Sequence, residues 1–280
     1  MKQIDKIVQT LIVNGTLVDS PGLFYGKTGV AIFFFHYARQ TGDKLFLEYA
    51  ADLMEEIQKQ ITVTIPSQYD IGLSGIGVGF EYLLQNGLIE TKDDNVFEDF
   101  DARMYRTAMY EPYPDLSLEG GLAGWGRYFI YRLRGKRHKN RTLNEALTFI
   151  TDEITKKVIE NSVPEIDQPD IYRFYRDLFS LPEYAKKYAN TFQQCKEWNC
   201  IRKPDSQTIF PYMNNLQRLH VCQNYFNIDL TEKIGKEWEK WKESDCKSLT
   251  NMGILTGWAT EGLLYLTFFQ NLDQSWVNLL

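Results

Sequence analysis

Histidine and cysteine are scarce in this 280-residue chain, which has only His36, His138 and His220 and four cysteines. Zinc hydrolysis, a nucleophile–His triad and imidazole acid catalysis would all have to draw on those three histidines. Four cysteines without a C-x-x-C pair do not make a disulfide scaffold, so free thiols are expected. The longest apolar run, Val30 to Phe35, falls far short of the ~18 residues of a membrane helix. Asp5 stands where a signal peptide would have its apolar core, and a cytoplasmic location is the expectation. Basic residues are outnumbered, 31 Lys and Arg against 37 Asp and Glu, and a formal charge of −6 gives nucleic acid no electrostatic hold. The P-loop, nucleophile-elbow and H-E-x-x-H patterns are missing, and no strand precedes the glycine-rich stretch Gly22 to Gly29 as a nucleotide loop would require. The only β-branched run, Ile61 to Ile65, is closed by Pro66 and reads as a short extended connection.

Aromatic residues are plentiful. With 17 Tyr, 17 Phe and 6 Trp inside a 44% hydrophobic composition, core material is ample and disorder is excluded.

The strongest internal signal is a repeat. Three glycine clusters run Gly22-Leu23-Phe24-Tyr25-Gly26-Lys27-Thr28-Gly29, Gly72-Leu73-Ser74-Gly75-Ile76-Gly77 and Gly121-Leu122-Ala123-Gly124-Trp125-Gly126, and their central Gly26, Gly75 and Gly124 stand 49 residues apart. A fourth cluster, Gly253-Ile254-Leu255-Thr256-Gly257-Trp258, lies near the end. Dense apolar and aromatic stretches follow each one. Between clusters run amphipathic helices, such as Leu45 to Ile57 and Leu143 to Val158, with apolar residues three and four apart. The interval from Gly124 to Gly257 leaves room for two degenerate pairs, Ile171–Leu181 with Pro182–Cys195 and Ile209–Phe226 with Leu230–Ser244.

A helix apolar nearly all round, alternating with one that keeps a polar face, implies an inner and an outer layer. The expectation is therefore an all-α chain, one domain over residues 1–280, in which about six helical hairpins curl into an α/α toroid. The glycines are expected to supply φ > 0 turns and close backbone approach before each inner helix, leaving bare N-terminal amides at one rim. Equally, they are turn and packing devices only.

The repeated Gly-Leu-x-x-Gly and Gly-Leu-[Ser/Ala]-Gly-x-Gly clusters before apolar helices resemble the lanthionine synthetase C-like (LanC-like) family, most clearly over residues 19–160 and 250–270. The resemblance implies an α/α toroid whose inner helices start at glycine motifs. It also implies a zinc-activated peptide thiolate that adds to dehydrated Ser or Thr. The family's metal motifs, Trp-Cys-x-Gly, Cys-His-Gly and Gly-x-x-His-Gly, are not matched. Asn251 and Met252 stand before Gly253 where the Cys and His would be, Ile209 to Met213 offers no Cys, and Gly121 to Gly124 lacks the His.

Three functions are consistent with these residues. The first is a LanC-like protein without zinc, a pseudoenzyme that needs no cofactor and binds a peptide or a peptide-modifying protein at the glycine-turn rim. Its candidate lining residues are Tyr25, Lys27, Tyr69, Asp70, Glu119, Trp125, Arg127, Asn251 and Trp258. The second is a thioether-forming cyclase with relocated zinc ligands, drawn from Cys195, Cys200, His220 and Cys222. The third is a glycoside-cleaving toroid using Asp70 and Glu119, each two residues before its glycine and matched by Asp19 or Ser20 before Gly22. Against the third, carboxylates at repeated positions more simply cap a helix or turn.

Overall fold

A computed structural model of the chain describes residues 3–91, 97–135, 141–202, 209–210, 213–243 and 251–280. Among the described residues all regular structure is helical: α1 (Gln3–Gly15), α2 (Lys27–Thr41), α3 (Lys44–Gln60), α4 (Leu73–Gln85), α5 (Glu98–Tyr110), α6 (Leu122–Arg134), α7 (Arg141–Ile159), α8 (Gln168–Leu178), α9 (Pro182–Lys187), α10 (Ala189–Lys196), α11 (Asn199–Arg202), α12 (Asn215–Phe226), α13 (Thr231–Glu243) and α14 (Trp258–Gln270), followed by a 3-10 segment, Gln274–Leu279. None of the described helices is long and apolar enough to cross a membrane. The run Ile61 to Ile65 forms turns after α3, with Ile65 N–H donating to Thr62 at 3.2 Å.

The chain groups into two compact units, one of Met1–Ile65 with Pro211–Leu280 and the other of Pro66–Phe210. In the Pro66–Phe210 unit, α4, α6 and α8 stand side by side in one row, while α5, α7 and α10 form a second row against them. The two degrees of amphipathicity explain the rows. From Leu73 to Leu83 and from Leu122 to Arg132 every residue is buried, whereas α7 buries only the stripe Leu143, Ala146, Leu147, Ile150, Thr151, Ile154 and Val158.

Charge is buried between the rows as well. Arg132 on α6 grips Asp101 on α5 through two hydrogen bonds of 2.7 and 2.8 Å, pairs with Glu81 on α4, and receives the Phe97 ring 4.0 Å from its guanidinium. Tyr128 donates to the same Asp101 at 2.5 Å. Three helices are thereby held in one register by groups that could not be left unpaired without a large desolvation cost.

In the other unit α2 lies between α14 and α3, and α13 packs on α12. Asp43 caps α3 by accepting from Leu45 N–H at 2.9 Å, and Gly42, at φ 70°, ends α2 with its N–H on Ala38. A capping box of Asn214 and Gln217 starts α12. Among the described residues no α-helix follows α14. Its flank is covered by α1, from the opposite end of the chain, whose buried stripe is Ile4, Ile7, Val8 and Leu11. The two degenerate pairs expected from spacing are both present, as α8 with α9 and α10, and as α12 with α13, except that the second pair starts at Asn215 rather than Ile209, where the capping box begins the helix.

Candidate functional site

Each of the four glycine-led helices begins on one loop plan. The first helical N–H reaches back seven residues: Lys27 to Ser20 (2.9 Å), Leu73 to Pro66 (2.8 Å), Leu122 to Asp115 (3.1 Å) and Trp258 to Asn251 (3.1 Å). Three of the loops are stapled at their start by the side chain of that same residue. Ser20 accepts from Gly22 N–H, Asp115 from Ser117 N–H and Asn251 from Gly253 N–H, at 3.2, 2.8 and 2.9 Å. The Asn251 amide group also donates to Leu255 at 2.9 Å. Asn251 is thus a turn-forming residue equivalent to Asp115.

This plan corrects three expectations. The N-terminal amides are not bare, because carbonyls of the wrapping loop occupy the first of them, and in α2 and α14 the second as well. The glycines at the helix starts, Gly26, Gly72, Gly121 and Gly257, have φ between −103° and −122°, which any residue can adopt. They are required because the loop passes too close for a Cβ: at Gly26 one would lie 2.5 Å from the Ser20 carbonyl, and at Gly72 2.8 Å from the Gln68 carbonyl. Finally, the structural register aligns Gly26 with Gly72 and Gly121, and Gly29 with Gly75 and Gly124. The even 49-residue spacing from Gly26 to Gly75 therefore joins two different positions. In the true register Asp70 and Glu119 match Phe24 and Leu255, not Asp19 or Ser20.

Two further positions recur inside the helices. At the third helical residue, a Cβ on Gly29 would meet the Leu23 carbonyl at 2.6 Å and Ile254 at 2.7 Å. A Cβ on Gly124 would strike the Leu118 carbonyl and lie 2.8 Å from Tyr69 Cβ. At the fifth, Gly77, Gly126 and Gly262 each receive an aromatic ring from the neighbouring helix, Tyr128, Phe174 and Phe33 respectively. All three rings come from the seventh residue of their own helix. Neighbouring loops are also tied to one another, Leu255 N–H to Phe24 at 3.0 Å in one unit and Tyr69 N–H to Glu119 at 2.7 Å in the other.

The nine candidate rim residues separate by burial. Lys27, Tyr69, Trp125, Arg127 and Trp258 are buried. Lys27 pairs with Glu56 at 2.9 Å, and Lys6 lies over the Trp258 ring. Arg127 pairs with Asp177 at 3.0 Å, with the Tyr69 ring 5.2 Å from its guanidinium. Asp70, Glu119 and Asn251 are half-buried and Tyr25 is exposed. Neither Asp70 nor Glu119 is placed as a helix cap, since the first amides of α4 and α6 go to loop carbonyls; Asp70 accepts from the adjacent Ile71 N–H at 2.9 Å.

Sequence reasoning missed three carboxylates in the loop before α6 and at the start of α8: Asp115, Asp167 and Asp170. Asp170 accepts from Leu118 N–H at 2.9 Å, which ties the loop before α6 to the start of α8. Burial, together with the Asp115 and Asp170 charges, raises Asp167 to about 6. Burial also raises Glu119, with Asp70, Asp170 and Asp115 adding to the effect, and burial raises Asp70. The available signals were the Asp115-x-Ser117 turn six residues before Gly121 and the Asp167-x-x-Asp170 spacing at a Pro-led helix start.

The four residues of the relocated-zinc reading do not fit a metal site. Among the described residues no three His, Cys, Asp or Glu side chains form a group that could hold a metal ion. Burial raises the Cys195 thiol far above its usual range and Cys200 to about 11, the opposite of thiolate activation. His220 is lowered to about 4 by burial, as is His36 on α2. His138 and Cys246 lie outside the described residues. No protein-family model matches the chain, and a search of curated proteins finds no match either.

Proposed function

We propose that this chain is a LanC-like protein whose helix pairs close into an α/α toroid and whose glycine-turn rim binds a peptide or a peptide-modifying protein. In this reading the chain works without zinc and forms no thioether. The observation that carries the reading is the repeated loop plan. Loops clamped by backbone and side-chain hydrogen bonds present their outermost residues in fixed positions, and in two of them an apolar side chain is left exposed just before the helix, Tyr25 and Ile71. Rigid exposed apolar groups beside half-buried polar ones suit peptide recognition, because little conformational entropy is lost on binding.

The two-row packing of α4, α6 and α8 against α5, α7 and α10 supports the inner and outer layers of a toroid, as does α1 serving as the outer partner of α14. Ring closure is tested by small-angle scattering: a closed chain of this length should have a radius of gyration near ~19 Å, and a markedly larger value would favour an open solenoid.

For binding, dodecapeptides selected from a displayed library should protect the loops 20–26, 66–72, 115–121 or 251–257 from hydrogen exchange. Tyr25→Ala and Ile71→Ala should weaken them. Protection confined to the outer faces of α3, α7 and α13 would overturn the rim reading.

A further inference from the structure

Among the described residues five other than glycine lie at left-handed φ: Asn161, Phe210, Asn227, Thr256 and Asn271. Asparagine tolerates that region, and Asn227 and Asn271 serve there as the C-caps of α12 and α14. Thr256, at φ 52° in the loop before α14, is β-branched, and crowding at its Cβ makes the conformation costly. The shared loop plan does not require it. Tyr25, Ile71 and Gly120 stand in the same place, directly before the glycine that starts the helix, and none of them is left-handed, although their loops close the same seven-residue hydrogen bond.

Neighbours on both sides hold Thr256 there. The Ile254 carbonyl accepts from the Thr260 hydroxyl and from Gln217 Nε2 at 3.2 Å, and Gln217 Nε2 also reaches the Thr260 oxygen at 3.3 Å. Leu255 is tied through its N–H to Phe24 and through its carbonyl to the Asn251 amide group, while Gly257 N–H donates to Thr260 Oγ1 at 3.3 Å. Gln217 is fully buried and comes from α12, where its Oε1 accepts from Asn214 N–H at 3.2 Å in the capping box. A left-handed β-branched residue survives only where its surroundings over-determine it. We propose that the loop 251–257 is a two-state element, with Thr256 as the strained residue and Gln217 as the latch. When the Gln217 bond to Ile254 is lost, Thr256 leaves the left-handed region for the conformation of its counterparts Tyr25 and Ile71. The start of α12 and the loop before α14 are thereby coupled, and whatever displaces one shifts the other.

Hydrogen exchange of the full chain, read by mass spectrometry beside urea denaturation, tests both parts. Gln217→Met removes the donor at nearly constant volume, and the amides of residues 254–257 should then exchange ~10-fold faster, as loss of a buried hydrogen bond implies, while those of α3 and α7 keep their rates. Thr256→Gly should do the reverse, slowing exchange in the loop and raising the urea midpoint, although glycine ordinarily loosens a chain. In the Gln217→Met background Thr256→Gly should restore most of the lost protection. Thr256→Asn should follow glycine, because asparagine tolerates the left-handed region, whereas Thr256→Val, still β-branched but without the hydroxyl, should not. That contrast separates backbone strain from loss of the side-chain oxygen. A lowered midpoint for Thr256→Gly would overturn the strain, and unchanged loop exchange in Gln217→Met would overturn the latch. Should Gln217→Met not fold, Gln217→Asn, which withdraws the amide by one methylene, takes its place with the same two outcomes.

Discussion

Alanine placed at different glycines should have opposite effects on stability, and the structure sets the order. A Cβ at Gly235 on α13 would have nothing within 4 Å, so Gly235→Ala should realise the helix-propensity gain of about 1 kcal/mol. Gly126 on α6 has the same propensity to gain, but its Cβ would press on the Phe174 ring, 3.1 Å from Cδ2, and lie 3.2 Å from Ile150 Cγ2. Phe174 is fully buried and cannot swing away. An overpacking cost of about 1–3 kcal/mol then cancels or exceeds the gain, for a net loss of up to about 2 kcal/mol. Gly124 is worse placed, since its Cβ would strike the Leu118 carbonyl, part of a backbone held by the Leu118–Asp170 bond. Relief there requires the loop to move, and a loss of about 3 kcal/mol or more is expected.

Urea denaturation followed by tryptophan fluorescence should rank the midpoints Gly235→Ala above wild type, then Gly126→Ala, then Gly124→Ala. The slope of the transition should stay unchanged if only stability is altered. The interlock has its own signature, because Phe174→Leu should cost less in the Gly126→Ala background than in wild type, the smaller side chain making room for the methyl. If Gly126→Ala and Gly124→Ala stabilised the protein as Gly235→Ala does, close helix approach would not be the reason for these glycines.

Other changes test other parts of the molecule. Asn251→Ala removes a carboxamide that makes two 2.9 Å hydrogen bonds and should cost about 1–2 kcal/mol, whereas Asn251→Asp should recover much of it, as Asp115 makes the equivalent staple; thermal melts of the pair decide this. Arg132→Met leaves Glu81 and Asp101 buried without their cation and should cost about 3–5 kcal/mol, read by the same denaturation. Burial raises Glu261 to about 7 against the favourable Trp241 indole hydrogen bond. Its folded value lies above its unfolded one, so its contribution is complete below the unfolded value of about 4.5 and is lost as pH rises through 7, by roughly 3 kcal/mol in all. Glu261→Gln should flatten the fall in stability between about pH 5 and 8, and an unchanged pH profile would show that Glu261 does not titrate there.

Periodicity carried most of the fold. The all-round apolar stretches after each glycine cluster and the amphipathic stretches between them map onto α2, α4, α6, α14 and onto α3 and α7, because burial on every side and burial on one side leave different marks on a 3.6-residue repeat. Even the pairs without a glycine cluster, α8 with α10 and α12 with α13, could be placed by spacing alone. Site residues were less legible. Tyr25, Asp70 and Glu119 lie beside the glycines, and so do Trp125, Arg127 and Trp258, yet the last three are buried, because on a helix apolar all round, adjacency in sequence does not tell surface from core.

By itself, then, the chain determined its class and its repeat: all helix, with glycine-led starts, few histidines and no metal spacing. Only the tertiary structure decided what the glycines are for. A glycine with extended backbone at the start of a helix looks, in sequence, like one at positive φ, and what separates them is whether another backbone or ring occupies the space of the missing Cβ. Likewise, Asp115, Asp167 and Asp170 lie up to 55 positions apart in the chain, and their meeting depends on loop-to-loop hydrogen bonds between helices whose order in space no local pattern encodes. Coulomb interactions among side chains follow distance in space, so the raised affinity of Asp167 for its proton emerged only once the three loops were folded together.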